Sequence, residues 1–286
     1  MSFPITGYIP CYNNAATVAG ALASLQRQTV PLEELLAVDD GSTDGSRELC
    51  QRQGVKIIRH ATNLGRGAAR ARAMEEAKHE FVLCCDATNE LAPDFSARAL
   101  RWFDDPAVAA VVGRITQRPA GNVIERWRGR HLFKLDQPVA IRRRVTLATF
   151  GAMVRRSAVL AVGNYDRTLR HSEDGDLGER LLAAGYEVVS DPSLEITSVA
   201  SNTLGEVLER YWRWYAGKDE AASWSDYFRQ IAFSLKGMAL QDLRAGDPFS
   251  VPISLLSPHY RFWRSRRKSS SAFGRSRNAE MKRIKR

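Results

Sequence analysis

Cysteine is scarce in this 286-residue sequence: four in all, Cys11, Cys50, Cys84 and Cys85, with one adjacent pair and no C-x-x-C spacing. Such a set builds neither a zinc-ligand pattern nor a secreted disulfide scaffold, and it suits a reducing cytoplasm. Long apolar runs are missing as well. No stretch of about eighteen residues is apolar and uncharged, so no membrane-spanning helix is expected. The opening MSFPITGYIPCYNN lacks both a basic n-region and an apolar core, so entry into the Sec route is not expected either. Neither G-x-x-x-x-G-K-S/T nor G-x-S-x-G occurs, which removes P-loop enzymes and the α/β-hydrolases. The Gly-rich loop of a nucleotidyltransferase is replaced by Pro-Cys-Tyr-Asn-Asn, and no internal repeat is present. Excess charge is absent from the body: residues 1–260 hold 31 basic and 31 acidic side chains, and the net +10 belongs to residues 261–286.

What is present reads as successive strand–helix units. Composition is that of a globular chain, 44% hydrophobic and 26% charged. ITGYIP, ELLAVDD, VKIIRH and EFVLCCD are short apolar runs, separated by amphipathic segments such as NAATVAGALASLQRQ, where Val18, Leu22 and Leu25 keep a helical period. That alternation predicts an α/β fold with a mixed, mostly parallel sheet flanked by helices. Between residues 92 and 201 the order is less regular, with a strand at AVAAVVG, a basic helix around VIERWRGRHLF and a helix at EDGDLGERLLAAG. Helices are expected over 203–217 and 225–243, a Pro- and Ser-containing loop over 246–258, and a flexible basic tail over 259–286. The organisation expected is therefore 1–202 as one catalytic domain, with 1–90 the nucleotide-binding half and 91–202 the acceptor half, then 203–258 as a helical extension.

Ligands of open α/β sheets sit at the carboxyl ends of the strands. Those ends are chemically rich here: Pro10, Cys11 and Tyr12 after the first; Asp39 and Asp40 after the second; Asn63, Arg66 and Arg70 beyond the third; Asp86, Thr88 and Asn89 after the fourth. One acid after a strand is often only a helix cap, but four enriched ends in one sheet suit a sugar-nucleotide pocket. Tyr12 offers a flat face for a base, Asp40 can accept from a base N–H, and Arg66 and Arg70 can offset phosphate charge.

The segments YIPCYNNAATVAGALASLQRQT, LLAVDDGSTDGS, NLGRGAARARAM and FVLCCDATNELAPDF resemble the N-terminal half of a family 2 glycosyltransferase of GT-A fold. FGAMVRRSAVLAVGNYD and SEDGDLGERLLAAGY resemble its acceptor-side half, so the resemblance covers residues 3 to about 215. It implies inverting transfer of a sugar from a nucleotide diphosphate, most often of uridine, to an acceptor hydroxyl in polysaccharide or glycolipid synthesis. By that analogy Pro10, Tyr12 and Asp40, with Asp39 nearby, hold the base, and Arg70 lies near the diphosphate. Asp174, beside Glu173, is the counterpart of the family's E-D motif and hence the general base; a helix-start acid favoured by the macrodipole is the other reading. The family's D-x-D motif, which binds Mg²⁺ or Mn²⁺, reads Asp86-Ala87-Thr88 here, followed by Asn89. Three outcomes stay open: weaker metal binding through Asp86, Thr88 and Asn89, leaving-group stabilisation by arginines, or a catalytically impaired sugar-nucleotide-binding or scaffold protein.

Arg210-Tyr211-Trp212-Arg213-Trp214 resembles the family's Q/R-x-x-R-W motif, which makes Arg210, Arg213 and Trp214 acceptor-site candidates, with packing on the domain as the alternative. The acceptor is then a saccharide or a lipid-linked sugar. HYRFWRSRRK interleaves aromatics with arginines, a composition suited to an anionic membrane surface, so a cytoplasmic protein peripheral on the inner face of the cell membrane is expected. The apolar residues of the preceding helix, Phe228, Ile231, Leu235, Met238 and Leu243, are expected to pack on the catalytic domain, with an apolar stripe presented to lipid as the alternative. Nucleic acid is disfavoured as a partner, because no RNA-binding module accompanies the basic tail.

Overall fold

The computed structural model describes residues 3–215 and 222–266. It divides into two compact units, Met1–Arg118 with Gln137–Ala200, and Pro119–Asp136 with Ser201–Arg286. Residues 267–286 of the expected tail, and the end of the 203–217 helix, lie outside the described residues.

The first unit opens with β1 (Ile5–Cys11), α1 (Val18–Gln26), β2 (Glu34–Asp39), α2 (Ser46–Arg52), β3 (Lys56–Arg59), α3 (Arg66–Glu76) and β4 (Phe81–Cys85). It continues with β5 (Asn89–Leu91), α4 (Phe95–Leu100) and β6 (Val108–Gln117). After the excursion into the second unit come β7 (Arg142–Arg143), β8 (Gly151–Arg155), α6 (Arg156–Ala161), α7 (Glu173–Ala183) and β9 (Glu187–Ser198). The sheet order is β3-β2-β1-β4-β8-β6-β9-β5, with β7 on β9. Its first four strands are parallel, as the alternation in the sequence requires, and every residue of β4 is buried, as befits a strand covered on both faces. Beyond them the sheet turns mixed: β8 runs antiparallel to both β4 and β6, while β6 and β9 are parallel.

The α3 helix is built of small residues on its inward side. Gly67, Ala71 and Met74 are buried at helical spacing, and so is Arg70, in the same stripe. Gly67 is required there, since a Cβ on it would lie 2.1 Å from the Asp166 carbonyl oxygen. Its N–H donates to Leu169 O at 3.0 Å, so the loop leading into α7 is seated directly on the start of α3.

The second unit contains α5 (Val123–His131), α8 (Leu204–Tyr215) and α9 (Trp224–Phe233). A π-helical turn, Ser234–Ala239, leads from α9 into α10 (Leu240–Arg244), and α11 covers 251–266. Placing 119–136 here differs from the sequence expectation, which kept it in the catalytic domain. Buried polar bonds explain the allegiance. Arg126 grips Asp247 through Nε and Nη2, both at 3.0 Å, Arg130 reaches Asp242 at 2.6 Å, and Trp127 Nε1 donates to Ser254 at 2.8 Å.

The expected 246–258 loop is corrected to helix, and so is the part of the tail over 259–266, where Phe262 is buried. The prolines sit where a helix tolerates them. Pro248 opens a 3₁₀ turn and Pro252 sits in the first turn of α11, where a missing N–H costs nothing. Pro258 lies inside α11 and cannot donate to Ser254 O; that carbonyl instead accepts from Ser234 Oγ at 2.6 Å and Ser257 Oγ at 2.8 Å.

The Asp247 carboxyl is held down at about 2, chiefly by its hydrogen bonds from Arg126, against the opposing effect of burial. A depressed acid stabilises the fold above its ordinary value near 3.8, and that contribution is lost as pH falls through about 2. Asp247→Asn leaves Arg130 and Arg126 facing a neutral amide and is expected to lower stability by roughly 2–3 kcal/mol at neutral pH. Urea unfolding followed by far-ultraviolet circular dichroism measures it; a loss below about 0.5 kcal/mol, the scale of an exposed pair, contradicts the assignment.

Candidate active site

Two loops at the carboxyl ends of β1 and β2 are knitted together before any ligand arrives. Asn13 N donates to Ser42 Oγ and Thr43 N to Asn13 Oδ1, while Asn14 N and Ala15 N donate to Ser46 Oγ and Asp44 Oδ2. Above them Tyr12 is 47% exposed, with Pro10 half-buried beside it.

The paired acids after β2 are used differently from one another. Asp40 is buried, and its oxygens accept from Leu64 N at 2.9 Å and Gly65 N at 2.8 Å, with His60 Nδ1 2.7 Å away. It therefore anchors the loop that starts α3. Asp39 accepts from Ser42 N at 2.9 Å through Oδ1, while its buried Oδ2 has no hydrogen-bond partner. A buried carboxylate oxygen without a donor is costly, and an N–H brought by a ligand would relieve it. His60, directly after β3, went unnoticed in the sequence although the strand-end criterion that singled out its neighbours applies to it.

The next layer centres on Arg70, which is 1% exposed. Its Nε donates to Glu173 Oε1 at 3.0 Å and its Nη2 to Asp86 Oδ1 at 2.6 Å; Nη1 donates to Tyr8 Oη at 3.2 Å and Thr149 O at 3.4 Å. Arg70 was expected to offset phosphate charge; without a ligand its hydrogen bonds are all to the protein. Its guanidinium binds protein acceptors, and what it fixes is the position of two acids, from the end of β4 and the start of α7. Arg66, the first residue of α3, is exposed. Tyr8 and Thr149 carried no signal in the sequence, the first reading as an ordinary strand aromatic and the second acting mainly through its backbone.

Asp174 follows Glu173 at the start of α7. It accepts from Thr149 N at 3.2 Å and Gly175 N at 2.9 Å, and Thr149 Oγ1 lies 3.5 Å off. Thr149 thus ties the Asp174 carboxylate and the Arg70 guanidinium together through its N–H and its C=O. Burial, followed by the neighbouring Glu173 charge, raises the Asp174 carboxyl above the usual aspartate value, and Arg70 opposes this only in part. Ser172, just before, has φ 61°, a left-handed conformation that costs a non-glycine residue of order 1 kcal/mol and often marks a functional turn.

The donor set for a divalent cation is thin. Asp86 is already bound by Arg70, Thr88 is half-buried, and Asn89 is buried in β5 with Nδ2 on Phe150 O at 2.8 Å and Oδ1 buried without a hydrogen-bond partner. Among the described residues no group of three His, Cys, Asp or Glu side chains is placed to hold a metal. One carboxylate with a hydroxyl and an amide oxygen suits a hard cation only when the ligand supplies further oxygens.

Of the acceptor candidates, Arg210 and Arg213 are half-buried on α8, and Trp214 packs against Phe133 at 5.9 Å between ring centroids. All three belong to the second unit.

The sequence model described as glycosyl transferase family 2 matches residues 8–163. An N-acetylglucosaminyltransferase of Sinorhizobium fredii is 28% identical over 248 residues, covering 74% of this chain and 59% of that protein. A poly-beta-1,6-N-acetyl-D-glucosamine synthase of Staphylococcus aureus is 25% identical over 230 residues, with 76% and 55% covered. This chain therefore spans little more than half the length of these curated relatives. Among solved structures, the mannosyltransferase PcManGT of Pyrobaculum calidifontis, in complex with GDP-Man and Mn²⁺, aligns with TM-score 0.55 at 18% identity, covering 94% of this chain and 75% of that one. S. aureus TarS residues 1–349 with UDP-GlcNAc aligns at 0.53 and 16%, covering 84% and 78%. The mixed sheet flanked by helices is the GT-A fold of these neighbours.

Proposed function

The chain belongs to glycosyl transferase family 2 and is a glycosyltransferase, and from that premise we propose that Asp174 is the base of a single inverting displacement. The observation that carries the reading is one continuous network: Arg70 holds Asp86 and Glu173, and Thr149 joins Arg70 to Asp174. An acid poised at the end of β4 and an acid with a raised pKa at the start of α7 are thereby kept in fixed relation. Asp174 removes the acceptor's proton as the hydroxyl attacks the anomeric carbon. Tyr12 stacks on the base of the donor, and Asp39, with its unsatisfied oxygen, accepts the base N–H; Asp40 shapes the pocket from behind.

The donor favoured is a UDP-N-acetylhexosamine, in keeping with the substrates named for the curated relatives and for TarS. The acceptor is a growing saccharide or a lipid-linked sugar, met in the cytoplasm at the membrane face, with Arg210, Arg213 and Trp214 on its side. A thermal-shift panel of nucleotide sugars, followed by UDP release with the best binder, tests the reading. Binding without any transfer or hydrolysis would instead favour the impaired, scaffold-type alternative that Thr88 suggests.

Asp86 and Thr88 would hold Mg²⁺ or Mn²⁺ together with diphosphate oxygens, and the cation would supply positive charge to the departing diphosphate. Because this chain brings so few charged donors, Mn²⁺ alone is expected to bind no tighter than the millimolar range, and UDP to tighten it by about tenfold or more. Calorimetric titration with and without UDP measures both; UDP binding indifferent to Mn²⁺, or tight Mn²⁺ binding without nucleotide, contradicts it.

A further inference from the structure

From α9 to α11 several buried positions are polar and several exposed ones are large and apolar. Along α9, the π turn and α10, the buried positions include Ser234, Met238 and Asp242, while Phe228, Phe233, Leu235 and Leu243 are 51–63% exposed. In α11 Ser254 and Ser257 are buried alongside Ile253 and Phe262, whereas Leu255, Leu256 and Trp263 face outward. The buried polar groups are satisfied: Ser254 Oγ donates to Asp242 at 2.6 Å, Asp242 pairs with Arg130, and Ser234 Oγ binds Ser254 O. A helix of a water-soluble domain shows the opposite arrangement, apolar inward and polar outward. Seven large apolar side chains exposed on adjoining segments of one chain are more than the scattered few of an ordinary surface and point to an interaction surface.

Charge identifies the occupant. Over 222–266 the three acids are either half-buried or buried, and each is already paired, Asp226 with Arg229, Asp242 with Arg130 and His131, and Asp247 with Arg126 and Arg130. Lys236 and Arg244 are exposed on the same helices, with no ion pair among the described residues. The sequence then runs on into 267–286, where eight further Lys and Arg face one Glu. No helix of the described residues is long and apolar enough to cross a membrane. Exposed Phe, Trp and Leu with an unopposed positive rim fit the headgroup–acyl boundary of an anionic bilayer.

We propose that the outward face of α9, α10 and α11 lies on an anionic membrane surface, with Phe228, Phe233 and Leu243 entering the interface and Lys236 and Arg244 meeting lipid headgroups. The proposal rests on the membrane-proximal acceptor of the preceding section and moves the contact from the basic tail to the folded helices. The expected core packing of Phe228, Leu235 and Leu243 is thereby corrected; only Met238 of that set is buried, with Ile231 half-buried.

The test is co-sedimentation of the full chain with phosphatidylcholine vesicles, with and without phosphatidylglycerol. Binding is expected to the anionic vesicles and to fall by about tenfold or more in Phe228→Ser/Phe233→Ser/Leu243→Ser, and likewise in Lys236→Glu/Arg244→Glu, which leaves the apolar face intact. Neutralising Arg275, Arg277, Lys282 and Arg283 to Gln should weaken binding less than either. Equal binding by parent and triple variant overturns the proposal, as does no vesicle binding by the parent, or a solution dimer dissolved by the triple variant. UDP release with a soluble acceptor, read on the same variants, should match the parent; its absence in the parent would instead count against the transferase mechanism.

Discussion

Replacing Asp174 with Asn should lower the turnover number by about 10³-fold while leaving nucleotide affinity within about threefold, the pattern of a lost general base. The amide is the same shape and keeps one of the two backbone bonds, since Thr149 N and Gly175 N donate to different oxygens of the carboxylate, so nucleotide binding on the strands that precede it has little reason to change. What disappears is the ability to take a proton. The same carboxyl also sets a pH signature. Its pKa is raised by burial and by Glu173, and only the ionised form acts as base, so kcat/KM falls as pH drops through a value above the ordinary 3.8. The acid limb therefore lies on the high side of a free aspartate, and the residual activity of Asp174→Asn should lack it. Near-normal turnover in the variant removes Asp174 from the chemistry, and an acid limb at or below the ordinary value removes the raised carboxyl.

Arg70→Met should be the most damaging single change in the first unit. Methionine fits the apolar part of the stripe formed by Gly67, Ala71 and Met74, but it abandons Glu173, which is 2% exposed, and Asp86. Stripping one partner from a buried ion cluster leaves uncompensated charge and costs roughly 3–5 kcal/mol. Lysine keeps the charge but cannot reproduce the fork that reaches four acceptors at once, so Arg70→Lys should recover part of the stability and little of the turnover. Glu173→Gln, which keeps a hydrogen-bond acceptor for Nε, should be milder than either. Denaturant midpoints and UDP release on the three variants measure this order; an Arg70→Met protein with parental stability would show that the network does not hold the site.

The strand ends were legible because they follow a rule of sheet topology: Asp39, Asp40 and Asp86 stand where parallel strands stop. The acids at the start of α7 were legible through the family motif. What could not be read was how they are joined. Arg70 meets Asp86 across 16 positions and Glu173 across 103, and nothing local in AARARAM says which of its two arginines turns inward. The bonds of Thr149 are mainly backbone bonds, which leave no imprint on residue type. In the second unit the composition pointed the wrong way. Proline and serine suggested a loop over 246–258, yet the serine hydroxyls satisfy the carbonyl that Pro258 frees. The apolar period of 228–243 suggested a core, yet Phe228, Leu235 and Leu243 of that set are open while Ser234 and Asp242 are enclosed. Periodicity tells which residues share a face, and not which face is buried.

A single displacement with one base leaves an unambiguous mark on its product. Proton NMR of the saccharide formed from an α-linked UDP-sugar reads the new anomeric centre directly. The account predicts a β linkage, formed as the deprotonated hydroxyl arrives opposite the departing diphosphate, and none formed by Asp174→Asn above trace level. An α-linked product would contradict it.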